Sequence, residues 1–256
     1  MKSLTAFMKK DWKEHLRSAR LYVLLGVFVL LGVMNPAVAK LTPWLMDTLS
    51  ETLAQSGMTV EPVTVTAMDS WMQFFKNVPM GLIVFVILES SIFTREYRSG
   101  TLVLALTKGL ERWKVIASKT VVLAVLWTVY YWLCFGVTYV INSFFWDNSV
   151  ACNLCFSVTC WWLAGLMTVM LVVFFSSVTK SSAVVLAGTA GVYLAASLVN
   201  LIPKYGKYSP AELMNSVPLI TGAAETGDYT AAVIITLALT VLFVALSVPI
   251  LNKKQI

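Results

Sequence analysis

Charge is what this sequence has least of. Asp, Glu, Lys and Arg make up 12% of its 256 residues, about half the share of a soluble domain. That shortage excludes an ordinary soluble fold. Histidine is nearly missing: His15 is the only one, and a metal site needs several converging ligands. The long uncharged runs contain no paired carboxylates and no nucleophile set beside a base, so a membrane enzyme loses support. No G-x-x-x-x-G-K-[ST] occurs, so the chain offers no P-loop for a nucleotide. The runs lack the polar–apolar alternation of barrel strands. Cysteine is sparse. Cys134 and Cys160 lie inside apolar runs, and Cys152 and Cys155 form a single C-x-x-C. Without partner ligands that spacing is a weak metal signal, and the four read best as small apolar residues in helices. A disulfide between the outer two stays open.

What is present is apolar. Hydrophobic residues make up 58% of the chain, and mean hydropathy is +0.78. Six runs approach the roughly 20 residues that cross a bilayer as a helix: about 21–39, 78–93, 120–144, 152–176, 183–202 and 229–251. The fold class is therefore an all-α polytopic membrane protein, with a single transmembrane domain over 1–256. Ala37-Val38-Ala39 after the first run looks like a signal-peptidase site. The long amphipathic lead-in and Pro36 inside the site argue against cleavage.

The net charge of +6 is a topology signal and not a nucleic-acid footprint. Lys2, Lys9, Lys10, Lys13, Arg17, Arg20, Arg95, Arg98, Lys108, Arg112, Lys114, Lys119, Lys180, Lys253 and Lys254 fall on one side of the six runs. Lys40, Lys76, Lys204 and Lys207 fall on the other. The excess of cations marks the cytoplasmic side. Both termini are expected there, with the chain in the plasma membrane.

Residues 1–20 have helical periodicity. Leu4, Phe7, Met8, Trp12, Leu16 and Ala19 share one half of the wheel; Lys9, Lys10, Lys13 and Arg17 take the other. This is the pattern of an interfacial helix, with Trp12 at headgroup depth and lysines toward anionic lipid. Asp11 and His15 interrupt the apolar half. His15 reads as a headgroup-level polar residue. Segment 40–77 is a long first external segment. Within it, Pro43 to Gly57 reads as a short separate helix, 58–66 as extended chain broken by Pro62, and Asp69 or Ser70 as the cap of a helix leading into the second run. Segment 203–228, the third external segment, carries Pro203, Pro210 and Pro218 and can dip back toward the membrane surface. Glu89 is the one clear intramembrane charge, close enough to the run's end to reach interfacial water or Arg95.

Between the second and third runs lies F93-TREYRSGTLVLALTKGLERW-K114, within a segment 94–119. Its "TLVLAL" is too apolar for a free loop and too short to span. Ser99 can cap a new helix, Gly100 permits a sharp turn, and Gly109 ends it. A short apolar helix flanked by charges of both signs suits specific docking on a partner.

Glu96, Ser99, Gly100, Thr101, Leu102, Leu104, Leu106, Arg112 and Lys119 together resemble the segment between spans 2 and 3 of ABC type 2 transporter permeases, the membrane subunits of ATP-binding-cassette exporters. A basic N-terminal interfacial helix and six spans extend the resemblance along the whole chain. One departure is "KGLE" where the family often has Pro after the leucine-rich helix. The resemblance implies a coupling helix that sits in a cleft of a separate ATPase subunit, which would bind ATP and Mg; this chain itself would hold no cofactor or metal. It assigns coupling to Arg95, Glu96, Arg98, Ser99, Gly100, Thr101, Leu102, Leu104, Leu106, Lys108 and Arg112, and the elbow to Lys9, Lys10, Trp12, Lys13 and Arg17. It also implies a second permease subunit, as homo- or heterodimer, with spans 1, 2 and 5 near the interface. Gly188, Gly191 and Ala195 form a small-residue face on span 5, suited to close helix packing within or between subunits. Cargo would be hydrophobic or amphipathic: a peptide, antimicrobial, drug or lipid. The rival class is a membrane immunity protein that sequesters a peptide or toxin without transport.

Overall fold

The structure is a computed structural model, and it describes residues 2–54, 64–107, 109–202 and 204–254. Gly57, Pro62, Lys108 and Pro203, together with the side chain of Arg98, lie outside the described residues. Among the described residues ten α-helices run in chain order: α1 (Lys2–Leu16), α2 (Ala19–Ala54), α3 (Ala67–Glu89), α4 (Ile92–Arg98), α5 (Thr101–Thr107), α6 (Arg112–Phe145), α7 (Leu154–Val178), α8 (Ser182–Asn200), α9 (Val217–Ile220) and α10 (Thr230–Lys253). Six of the helical segments are long and apolar enough to cross a membrane, as expected of a multi-pass membrane protein.

α7 is the hub. It packs on α6, α8 and α10 and touches α3, while α2 packs against α3 and α6. In its most apolar stretch, 72% of the α7 residues are buried, against 17% for the last span and 11% for α8. Those last two present most of their surface outward. The core is aromatic: Phe28 stacks on Tyr130, Trp127 meets Phe85 edge-on, and Trp71 lies among Phe74 and Phe135. Trp127 fits only because Gly165 faces it; a Cβ there would lie 2.1 Å from the indole.

Two boundaries differ from the sequence expectation. The stretch from Pro43 is not a separate helix but the continuation of α2. Proline removes a donor yet is tolerated in a membrane helix when the freed carbonyl finds another partner. The carbonyl four residues before Pro36 is that of Gly32, and Thr138 Oγ1 donates to it at 3.0 Å. Asn35 Nδ2 in turn donates to Thr138 Oγ1, and Asn77 Nδ2 donates to Asn35 Oδ1 at 2.8 Å. This polar chain ties α2, α3 and α6 together where apolar contact alone gives little specificity. The cap of α3 is Thr66, not Asp69 or Ser70. Thr66 accepts from the Met68 amide, and Asp69 completes a capping box by accepting from the Thr66 amide at 2.8 Å.

The 204–228 segment is folded as short 3₁₀ turns and α9 packed on the end of α7. Trp161 donates to the Met214 carbonyl at 2.9 Å, and the Tyr229 hydroxyl donates to that of Asn215 at 2.7 Å. Leu213 and Leu219 are fully buried.

Candidate functional site

At the basic end of the bundle, α3 stops at Glu89, bends at Ser90–Ser91 and continues as α4. Ser99 closes α4, its amide donating to the Arg95 carbonyl; it does not cap the next helix. Gly100 adopts φ +68, the left-handed region that glycine enters without cost. Its carbonyl receives the Leu104 amide and so starts α5. Gly109, at φ +86, turns the chain toward α6.

α5 has two faces. Leu102 is buried and Leu106 packs against the core from a half-buried position. Val103 and Leu104 point away, and Leu104 is 58% exposed. Thr101 and Thr107 are exposed beside them. An open groove of about 360 Å³ runs between α5 and the start of α6, lined by Val103, Leu106, Thr107, Leu110, Glu111 and Arg112. Arg112 closes one wall while its guanidinium donates to the carbonyls of Leu251, Asn252 and Lys254. Those carbonyls belong to the end of α10, where a cation is favourable. Glu111 is held below the usual carboxylate range by Lys114 and the Trp113 indole.

Behind α5 lies an ionic cluster. Lys119 Nζ on α6 lies 2.9 Å from Glu96 Oε1 and 3.1 Å from Asp11 Oδ1. Lys10 Nζ reaches Glu96 Oε1 at 2.7 Å, and Ser118 donates to Asp11 Oδ2 at 2.7 Å. Asp11, Glu96 and Lys119 are all buried. Asp11, Glu14 and Glu96 bring carboxylate atoms within 4.8 Å of one another, a spacing a cation could use. The two ammonium groups already serve these carboxylates. Burial works to lower the Lys10 pKa, but the hydrogen bond and charge of Glu96, with Asp11 and Glu14, outweigh it and raise the value. Lys10 therefore contributes in full below the ordinary 10.5 and is lost only as pH rises through its raised value.

Several expected positions change sides. Glu96 and Leu102 were expected on the docking surface and are turned inward instead. Lys10 joins the cluster rather than facing lipid alone. Asp11 and His15 are not blemishes on a lipid-facing surface; they form the inward face of α1. Glu89 does not pair with Arg95 or lie at interfacial water. It is 1% exposed and His15 Nε2 meets its Oε1 at 2.9 Å. Arg95, Ser99, Thr101 and Leu104 stay exposed, as do Lys9, Trp12, Lys13 and Arg17 on α1. The small-residue face of α8 divides: a Cβ on Gly188 would meet the Phe175 ring at 2.6 Å, so that glycine serves packing inside the subunit. Gly191 has open space and Ala195 is exposed.

The whole arrangement, a short exposed helix braced at one end of six spans, coincides with a family match. The family model described as "ABC-2 family transporter protein" matches residues 5–256. The chain belongs to the ABC-2 transporter family. It is a permease, the membrane subunit of an ABC transporter, and the family implies partnership with an ABC ATPase subunit. No curated protein matches the chain. In this ABC-2 permease the signal that would have found the inward face of α1 was already present: Asp11 and His15 sit four apart on one helix stripe. Acids and histidines that break an apolar stripe need partners, and Glu89 and Lys119 supply them.

Proposed function

We propose that this permease exports hydrophobic or amphipathic cargo, and that α5 is the helix through which its ATPase partner drives it. The observation that carries this reading is the two-sided α5. Leu102 anchors the helix, while Val103 and Leu104 stand exposed beside a groove of mixed polar and apolar lining with Glu111 and Arg112 at its edge. Exposed apolar side chains next to charge mark a docking surface. The cluster behind α5 makes α4, α6 and α1 one unit, so a push on α5 would reach the spans.

In this reading the basic end and both termini face the cytoplasm, in keeping with the distribution of Lys and Arg. ATP and Mg bind in the partner subunit. A second permease copy packs on the exposed α8 face that includes Gly191 and Ala195. Apolar cargo is supported by an open groove of about 510 Å³ between α3, α7 and α8, lined by Leu82, Ile83, Val86, Leu186, Tyr193 and Leu194 among others. Exchange of Leu104 for Asp tests the coupling role: it should abolish recruitment of the ATPase while leaving the permease folded.

A further inference from the structure

Lys10, Lys13, Arg17 and Ser18 from α1 and the turn after it face Arg95 on α4 across an open concavity of about 570 Å³. One acid, Glu14, completes the lining. Lys10 is committed to Glu96. Lys13, Arg17 and Arg95 are exposed, and no ion pair to them is seen among the described residues. Ser18 Oγ is buried and has no hydrogen-bond partner among the described residues. It lines both this concavity and a small adjoining cavity of about 30 Å³ beside Asp11, His15 and Arg20. Three uncommitted cations and an unused hydroxyl donor therefore converge on one space.

We propose that this concavity binds the phosphate-bearing headgroup of an anionic phospholipid. The inference rests on the placement of the basic end at the cytoplasmic leaflet. Depth favours lipid: Arg17 and Ser18 immediately precede α2, whose apolar run begins at Leu21, so they stand at the edge of the hydrocarbon layer. Trp12 and Leu16, 37% and 46% exposed, lie on the neighbouring stripe of α1, where the bilayer interface receives them. Charge favours an anion, because basic residues at this depth attract acidic lipid. No α5 residue lines the concavity, which separates it from the α5 surface proposed for the ATPase; Arg95 is the one lining residue that was also expected among the coupling positions. Arg17 and Arg95 offer forked donors to phosphate oxygens, with Ser18 Oγ–H as a third.

Native mass spectrometry of the detergent-purified full chain, titrated with phosphatidylglycerol or phosphatidylcholine, tests this. The wild type should retain phosphatidylglycerol over phosphatidylcholine. Lys13→Gln/Arg17→Gln/Arg95→Gln should weaken that retention by about tenfold or more, and the double variant Lys13→Gln/Arg17→Gln, confined to exposed α1 positions, should show a smaller loss in the same direction. Equal retention of the two lipids by the wild type would overturn the proposal, as would undiminished phosphatidylglycerol binding by the variants. Variants that keep the lipid but lose ATPase co-elution would reassign the surface to the ATPase. Loss of lipid with ATPase binding intact supports the lipid site and leaves the coupling reading standing.

Discussion

His15 Nε2 lies 2.9 Å from Glu89 Oε1, and the two side chains are 9% and 1% exposed. The chain's one histidine thus fastens α1 to the end of α3. Among the described residues Glu89 Oε2 has no hydrogen-bond partner, so the imidazole on Oε1 is the group that partners this buried carboxyl.

Removal of the imidazole should therefore cost more than neutralising the acid. His15→Ala leaves Glu89 buried and unpartnered, a loss of about 1–3 kcal/mol. Glu89→Gln keeps a hydrogen-bonding group opposite His15 and should lose less. Thermal melting in detergent ranks the two; a larger loss for Glu89→Gln would contradict the arrangement.

The ionic cluster makes a second prediction. Glu96→Gln leaves Lys119 with Asp11 as its one carboxylate and should destabilise by about 1–3 kcal/mol. Glu96→Gln/Lys119→Met should recover part of that loss, since two ammonium groups no longer share the buried Asp11 carboxylate. A double variant no more stable than Glu96→Gln alone would show that the pair is not the source.

Glycines on α7 and α8 separate packing from association. Gly165→Ala drives a methyl into Trp127 and should lose about 1–3 kcal/mol. Gly188→Leu meets Phe175 and should lower the melting temperature as well. Gly191→Leu enters open space, so the subunit should melt as the wild type does. If α8 is the dimer face, the same variant should shift the protein toward monomer in size-exclusion chromatography with light scattering.

Six spans and the short helix between the second and third were legible because long apolar runs and the glycines at 100 and 109 carry their own physics. The partners of that helix were less so. Glu96 and Lys119 look like surface charges in a mixed-charge loop, yet they lie 2.9 Å apart in the interior. A charge that is buried by a residue twenty or more positions away leaves no local pattern. The same holds for Asn35, Asn77 and Thr138, whose polar chain joins three helices. Pro43 misled for another reason: proline usually opens a helix, but here it lies inside α2, which runs on through it. α1 was half legible, since its stripe of Phe7, Asp11 and His15 mixes apolar and ionisable residues and only the bundle tells which way it faces.

Leu102 and Leu104 stand two residues apart on α5 and should behave oppositely. Leu102→Ala empties a buried site and should cost about 2–4 kcal/mol of stability. Leu104→Asp changes an exposed position and should be nearly silent in folding.

The most direct measurement is co-elution of the ATPase subunit with affinity-purified permease, wild type against Leu104→Asp, with melting temperature recorded on the same samples. Loss of the ATPase at an unchanged melting temperature is the predicted result. Full retention of the ATPase by a folded Leu104→Asp permease would contradict the coupling role of α5.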